Sequence, residues 1–115
     1  MDFSFISDSN LTSIFDNLLE NAVEAATDSN NKLIELTVNY VNENYIVINL
    51  VNSCSRKPVK VNRELKTTKE VKNTHGYGLK IIKLIAKENG GSVNYNFDES
   101  KMRFAISVVL DRIKG

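Results

Sequence analysis

Leu11-Thr12-Ser13-Ile14-Phe15-Asp16-Asn17-Leu18-Leu19-Glu20-Asn21-Ala22-Val23-Glu24-Ala25-Ala26-Thr27 carries apolar side chains at 11, 14, 15, 18, 19, 22, 23 and 26. These steps of three and four predict an amphipathic helix with a broad face to bury. Asp8-Ser9-Asn10 just ahead supplies N-cap chemistry, so the helix is expected to start near Leu11 and to run to about Thr27. The flanking sequence says what could cover that face. Upstream, Phe3 and Phe5 alternate with polar neighbours and read as a short strand over residues 2 to 6. Downstream, after a loop at Asp28-Ser29-Asn30-Asn31, Ile34, Leu36, Val38 and Tyr40 alternate with Glu35, Thr37 and Asn39. Asn42-Glu43-Asn44 turns the chain and Tyr45 to Val51 returns, so residues 33 to 51 predict a hairpin with one apolar side.

Gly76-Tyr77-Gly78 opens a second predicted helix, Leu79 to Asn89, with Gly90-Gly91 as its stop. Ser92 to Asp98 and Met102 to Leu110 alternate again around Asp98-Glu99-Ser100-Lys101, a second hairpin, and Asp111 to Gly115 reads as a frayed end. Two hairpins, each with one apolar side, and two amphipathic helices predict an α+β fold: a two-layer sandwich of a mixed, mainly antiparallel sheet with helices on one face. Residues 52 to 75 show neither period, which in a compact domain usually marks a functional or mobile segment.

The chain has 115 residues, 42% apolar and 25% charged, with a net charge of +1. One domain with a real core fits that length without metal or disulfide staples. Cys54 is the single cysteine and His75 the single histidine, which excludes an internal disulfide and a Cys/His zinc site and favours a reducing, cytoplasmic setting. A Ser/His/Asp or Cys/His triad would have to use His75 or Cys54, both within residues 52 to 75, and no nucleophile elbow is present. No apolar run approaches the ~18 residues of a membrane span, Met1-Asp2-Phe3-Ser4 lacks a signal-peptide pattern, and the near-neutral charge speaks against a nucleic-acid binder. Neither GxxxxGK[ST] nor a strand-borne GxGxxG is present.

Candidate chemistry lies elsewhere. Asn17, Asn21, Glu24 and Asp28 form one stripe on the first helix. A polar stripe is the ordinary solvated face of such a helix, but asparagine is a poor helix former, so two carboxamides weaken the helix for a gain elsewhere, as oxygen ligands would provide. Gly76 and Gly78 stand where a loop enters a helix, letting backbone N–H groups approach an anion. Residues 53 to 75 hold seven of the 15 basic residues (Arg56, Lys57, Lys60, Arg63, Lys66, Lys69, Lys72) and two of the 14 acids (Glu64, Glu70), a balance of +5 that leaves −4 on the rest. Such a basic flap beside a helix start would attract a polyphosphate. Thr67 and Thr68 add hydroxyl donors between Lys66 and Lys69.

Taken in order, Asp16-Asn17-Leu18-Leu19-Glu20-Asn21-Ala22-Val23-Glu24-Ala25-Ala26, a hairpin ending at Asn52-Ser53, Thr67-Thr68-Lys69 and His75-Gly76-Tyr77-Gly78-Leu79 resemble the Bergerat-type ATP-binding domain shared by gyrase, MutL and sensor histidine kinases. The match spans about residues 3 to 110. Asn-Ala-x-Glu-Ala and Thr-Thr-Lys are most similar to the peptide-sensing, quorum-type histidine kinases. The resemblance implies ATP and Mg2+ as cofactors. Asn21 would ligate the metal that bridges the phosphates, with Asn17 as a second amide contact. Gly76, Gly78 and Leu79 would present backbone amides to phosphates, and Thr68 and Lys69 would be lid contacts. Asn52 is the positional match to the adenine-reading aspartate of the family's Asp-x-Gly-x-Gly box, which this chain lacks, so weak ATP binding is expected.

Hydrolytic relatives place a glutamate four residues before the magnesium asparagine; here that position is Asn17, and Glu20 points about 100° away from Asn21 round the helix. Slow hydrolysis follows, and a pattern fitted to donating the γ-phosphate to a histidine on a separate helical dimerisation domain, with a response regulator downstream. No residue of this chain is expected to be catalytic by itself. A single catalytic domain over residues 1–115, the cytoplasmic part of a larger membrane sensor kinase with no direct membrane contact of its own, is the expected organisation. A non-catalytic nucleotide-sensing module and a serine kinase of a protein regulator on the same fold are the alternatives.

Overall fold

A computed structural model describes residues 3–30, 32–55, 59–61, 64–66 and 76–112. The first helix, α1, runs Asp8–Thr27 and starts a turn earlier than the apolar period suggested. Ser7 is its N-cap, with the Oγ accepting from the Asn10 N–H at 3.1 Å. Of the strand expected over residues 2 to 6, the described residues 3 to 6 form none. Phe3 to Ile6 turn instead, with Ile6 N–H donating to the Phe3 carbonyl. Phe3 lies against Phe5 and edge-on to Phe15, so the aromatic pair caps the start of α1 rather than joining a sheet. Ile14, Leu18, Ala22 and Ala26 are the buried stripe of α1.

Strands β1 (Ile34–Tyr40) and β2 (Tyr45–Ser53) form the first hairpin, turned at Asn42, which has φ 144° and accepts the Asn44 N–H on its Oδ1. Val59–Val61 (β3) and Glu64–Lys66 (β4) pair as a small separate hairpin inside the stretch that showed no period. Helix α2, Gly76–Glu88, is followed by β5 (Ser92–Asp98) and β6 (Arg103–Asp111). The main sheet has the order β1-β2-β6-β5, with every ladder antiparallel. The two-layer α+β architecture is as expected; with residues 3 to 6 not a strand, nothing parallel enters the described sheet.

Even-numbered residues of β2 and β6 point at the helices: Ile46, Ile48 and Leu50 pack with Ile106, Val108 and Leu110 beneath Ile14 and Leu18 of α1 and Leu79, Ile82, Ile85 and Ala86 of α2. Each fully buried aliphatic side chain contributes about 1.5–3 kcal/mol relative to exposure. The opposite face of the sheet carries the Ser107–Asn49 hydrogen bond and no helix.

Two glycines stop α2 as the sequence indicated. Gly90 has φ 71° and donates to the Lys87 carbonyl, and Gly91 N–H reaches the Ala86 carbonyl at 2.8 Å, together a Schellman cap. The chain end is tied rather than frayed at its first two residues. Asp111 N–H donates to the Asn89 carbonyl, and Arg112 reaches the β1–β2 turn through Nη1 to the Glu43 carbonyl at 2.8 Å. Among the described residues no helix is long and apolar enough to cross a membrane.

Candidate functional site

The α1 stripe does not simply face solvent. Asn17, Asn21 and Glu24 are half-buried and only Asp28 is exposed, because this flank turns toward α2. The contact is closest at Gly78, where a Cβ would stand 2.8 Å from Asn17 Oδ1. The Asn17 Nδ2 donates to the Ser13 carbonyl one turn back at 2.7 Å, which fixes the carboxamide and aims its oxygen at the first turn of α2. Asn21, a turn further along the same flank, makes no side-chain hydrogen bond to another described residue.

The first N–H groups of a helix have no partner within it, and the helix dipole adds partial positive charge there. Gly76 and Gly78 lie in that first turn of α2, which holds no acidic residue. Leu79 follows with its side chain in the core, so the turn is anchored from beneath. The Asn17 carboxamide thus meets the glycine-opened start of α2, with Asn21 one turn further along α1. Thr68 and Lys69 lie outside the described residues.

Asn52 is the last helix-facing residue of β2, in line with Ile46, Ile48 and Leu50, and is only 3% exposed. Its Nδ2 donates to the Ser53 carbonyl at 3.0 Å. A carbonyl can only accept, so the amide is oriented and its Oδ1 remains the atom that can take a donor. Its cross-strand neighbour on β6 is the half-buried Phe104. Phe104 and the Ser29–Ser53 hydroxyl pair, 2.8 Å apart, escaped sequence reasoning. The pair ties the end of α1 to the end of β2, with Ser53 Oγ also accepting the Leu33 N–H. Alternation did mark 104 as helix-facing, whereas nothing local pairs serines 24 apart.

Cys54, next in sequence, is buried with Sγ toward the Met102 carbonyl, and burial pushes its thiol up, which keeps it neutral and unreactive. An open depression of about 290 Å³ with Ser55, Lys101 and Arg103 on its walls lies beyond Ser29 and Ser53, apart from the Asn17–Gly78 contact.

Among the described residues there is no cluster of three histidine, cysteine or carboxylate ligands. A metal beside Asn21 would therefore draw most of its ligands from a bound phosphate chain and water. Hard oxygen donors with few protein ligands suit magnesium, so the residues present fit it.

Fold and site together define a two-layer α+β domain in which a carboxamide-bearing helix flank faces the glycine-opened start of a second helix. The family model of the GHKL domain matches residues 7–110, and the chain belongs to that family. GHKL ATPase domains bind ATP, usually with Mg2+. The same fold occurs in the mycobacterial sensor histidine kinase MprB, at TM-score 0.68 and 16% identity over 91% of this chain and 74% of that one. It occurs too in the catalytic domain of histidine kinase ThkA in a nucleotide-free form, at TM-score 0.66 and 18% identity over 93% of this chain and 70% of that one. No curated protein shows significant sequence similarity to the chain.

Proposed function

We propose that this domain holds Mg–ATP between the Asn17/Asn21 flank of α1 and the first turn of α2, and presents the γ-phosphate to a histidine on a separate helical phosphoacceptor domain. The observation that carries the reading is the Asn17–Gly78 contact, which joins two of the sequence features suited to a metal-chelated triphosphate. When bound, magnesium would neutralise phosphate charge. The chain's own part is positioning: backbone N–H groups of Gly76 to Leu79 bind phosphate oxygens, Asn17 and Asn21 offer amide oxygens, and Asn52 Oδ1 accepts from the base.

Asn17 also fits the slow hydrolysis expected of this domain. A carboxamide whose Nδ2 is tied to Ser13 cannot take a proton from water, so the γ-phosphate waits for another nucleophile. Thr68 and Lys69 complete the proposal as contacts from the basic segment. The fuller reading places the domain on the cytoplasmic side of a membrane sensor of the peptide-sensing, quorum-type kinases, passing phosphate on to a response regulator; the motif resemblance supports that subtype.

Calorimetry on Asn21→Ala tests the site: magnesium-dependent nucleotide binding should disappear, and unchanged affinity would remove Asn21 from it. Supplying the helical domain encoded upstream and finding acid-labile phosphate supports the histidine kinase. Acid-stable phosphoserine on a partner would replace it with the serine-kinase reading, and saturable binding without transfer with the sensor reading.

A further inference from the structure

The β1–β2 ladder changes partners at its last rung. The register that pairs Ile34 with Asn52 continues one step to Leu33 opposite Ser53. At the other end Val41 N–H donates to the Tyr45 carbonyl, so the odd-numbered pairs are the hydrogen-bonded ones, and a regular ladder would have Leu33 and Ser53 exchange two bonds. The first is made: Ser53 N–H donates to the Leu33 carbonyl at 2.9 Å. In place of the second, Leu33 N–H donates to the Ser53 hydroxyl at 2.9 Å. The side chain takes the bond that its own carbonyl would have accepted.

That carbonyl serves Asn52 instead, accepting its Nδ2 at 3.0 Å. It is held from behind, because Cys54 N–H, across the same planar peptide, is bound to the Met102 carbonyl at 3.0 Å. The hydroxyl is held as well. Ser29 Oγ donates to the Ala26 carbonyl at 2.7 Å, in the last turn of α1, and so is left to accept the Ser53 proton at 2.8 Å. Ser53 Oγ then turns a lone pair to Leu33, and the order Leu33, Ser53, Ser29, Ala26 runs from donor to acceptor without conflict. Both serines and Asn52 are buried, so water is a poor substitute for any of these partners.

We propose that Ser53 is a positioning residue for base recognition: its hydroxyl takes the Leu33 N–H so that its carbonyl can hold the Asn52 amide, leaving Oδ1 for the base, and Ser29 orients the hydroxyl. The proposal rests on the reading of Asn52 as the residue that accepts from the base. Without the hydroxyl, Leu33 N–H turns to the Ser53 carbonyl, and the closing ladder competes with Asn52 for it. A released carboxamide can present either end, and the preference for a base with an exocyclic amine goes with it.

Calorimetry with Mg–ATP and Mg–GTP on the unaltered chain, Ser53→Ala and Ser53→Thr tests this. The unaltered chain should bind ATP on the order of tenfold more tightly than GTP. In Ser53→Ala, ATP should weaken to within about twofold of GTP, while GTP holds or tightens. Ser53→Thr keeps a hydroxyl and should restore the preference. A purely structural role would weaken both nucleotides together; that result overturns the proposal, and so does a preference that survives in Ser53→Ala. Should the alanine variant fail to fold, couplings across hydrogen bonds in the unaltered, nucleotide-free chain decide. Asn52 Nδ2 should couple to the Ser53 carbonyl carbon, and the Leu33 nitrogen should not. A Leu33 coupling to that carbon means a regular ladder and overturns the proposal. Equal binding of both nucleotides by the unaltered chain, or binding of neither, defeats the reading of Asn52 and this role with it, an outcome distinct from the survival of the preference in Ser53→Ala.

Discussion

A methyl group at Gly78 would meet Asn17 Oδ1 at 2.8 Å and Cγ at 3.4 Å, and the Asn17 amide cannot swing away without giving up Ser13. Gly78→Ala should therefore cost about 1 kcal/mol or more, although alanine is the better helix former by a similar amount. In an Asn17→Ala background the obstacle is gone, and the same substitution should be neutral or stabilising; additive costs in urea melts would show that the contact is not what keeps position 78 bare. Gly91 is stricter. Its Cβ would overlap the backbone carbonyl of Val109, which has nowhere to move, so Gly91→Ala should cost more than about 3 kcal/mol. Gly90→Ala should cost only about 1 kcal/mol for the left-handed cap. Spacing singled out all of these glycines, but a one-dimensional pattern cannot say which surface comes opposite, and so it could not separate a helix stop from a residue pressed against the Val109 backbone. Asn52 shows the same limit. Its position was legible, while the orientation of its amide depends on the carbonyl of Ser53 and was not.

At the scale of elements, periodicity located what is amphipathic and missed what is held by caps and neighbours. The interior of α1, both hairpins and α2 were legible because burial imposes a period of 3.6 or 2 on them. The start of α1 was not, since Ser7, Asp8, Ser9 and Asn10 are all competent caps and the first turn needs no apolar residue. Ser7→Ala should lose about 1 kcal/mol of stability in denaturant melts, against a few tenths for Asp8→Ala, which only trims a charge near the helix dipole. Equal losses would mean that the cap lies at Asp8. Phe3 and Phe5 were misread for a related reason: alternation over five residues is shared by strands and by turns whose aromatics pack on a helix, here on Phe15. Asp111 and Arg112 looked loose because their anchors, the Asn89 carbonyl and the β1–β2 turn, are distant in sequence.

For the whole molecule the decisive feature is that one core serves both halves of the proposed site. Ile14, Leu18 and Ala22 bring α1 into it, and Leu79, directly after Gly78, brings in the first turn of α2. A ligand held between those helices therefore ties down the entire cooperative unit rather than a local flap. By linkage, Mg–ATP at a hundredfold excess over its Kd should add about 2.7 kcal/mol, on the order of ten degrees in Tm for a domain of this size. Charge makes that shift metal-dependent. Helix α1 carries Asp8, Asp16, Glu20 and Glu24 and no lysine or arginine, with Glu24 on the same stripe as Asn21, so a bare triphosphate meets repulsion that a divalent cation relieves. The thermal shift should collapse when the metal is chelated. It should also be smaller with GTP, because the oriented Asn52 Oδ1 can accept from the 6-amino group of adenine and finds only a carbonyl oxygen on guanine. A Tm indifferent to Mg–ATP would remove the ligand from its proposed place between α1 and α2. A shift equal for both nucleotides would keep the phosphate contacts and withdraw Asn52 from reading the base.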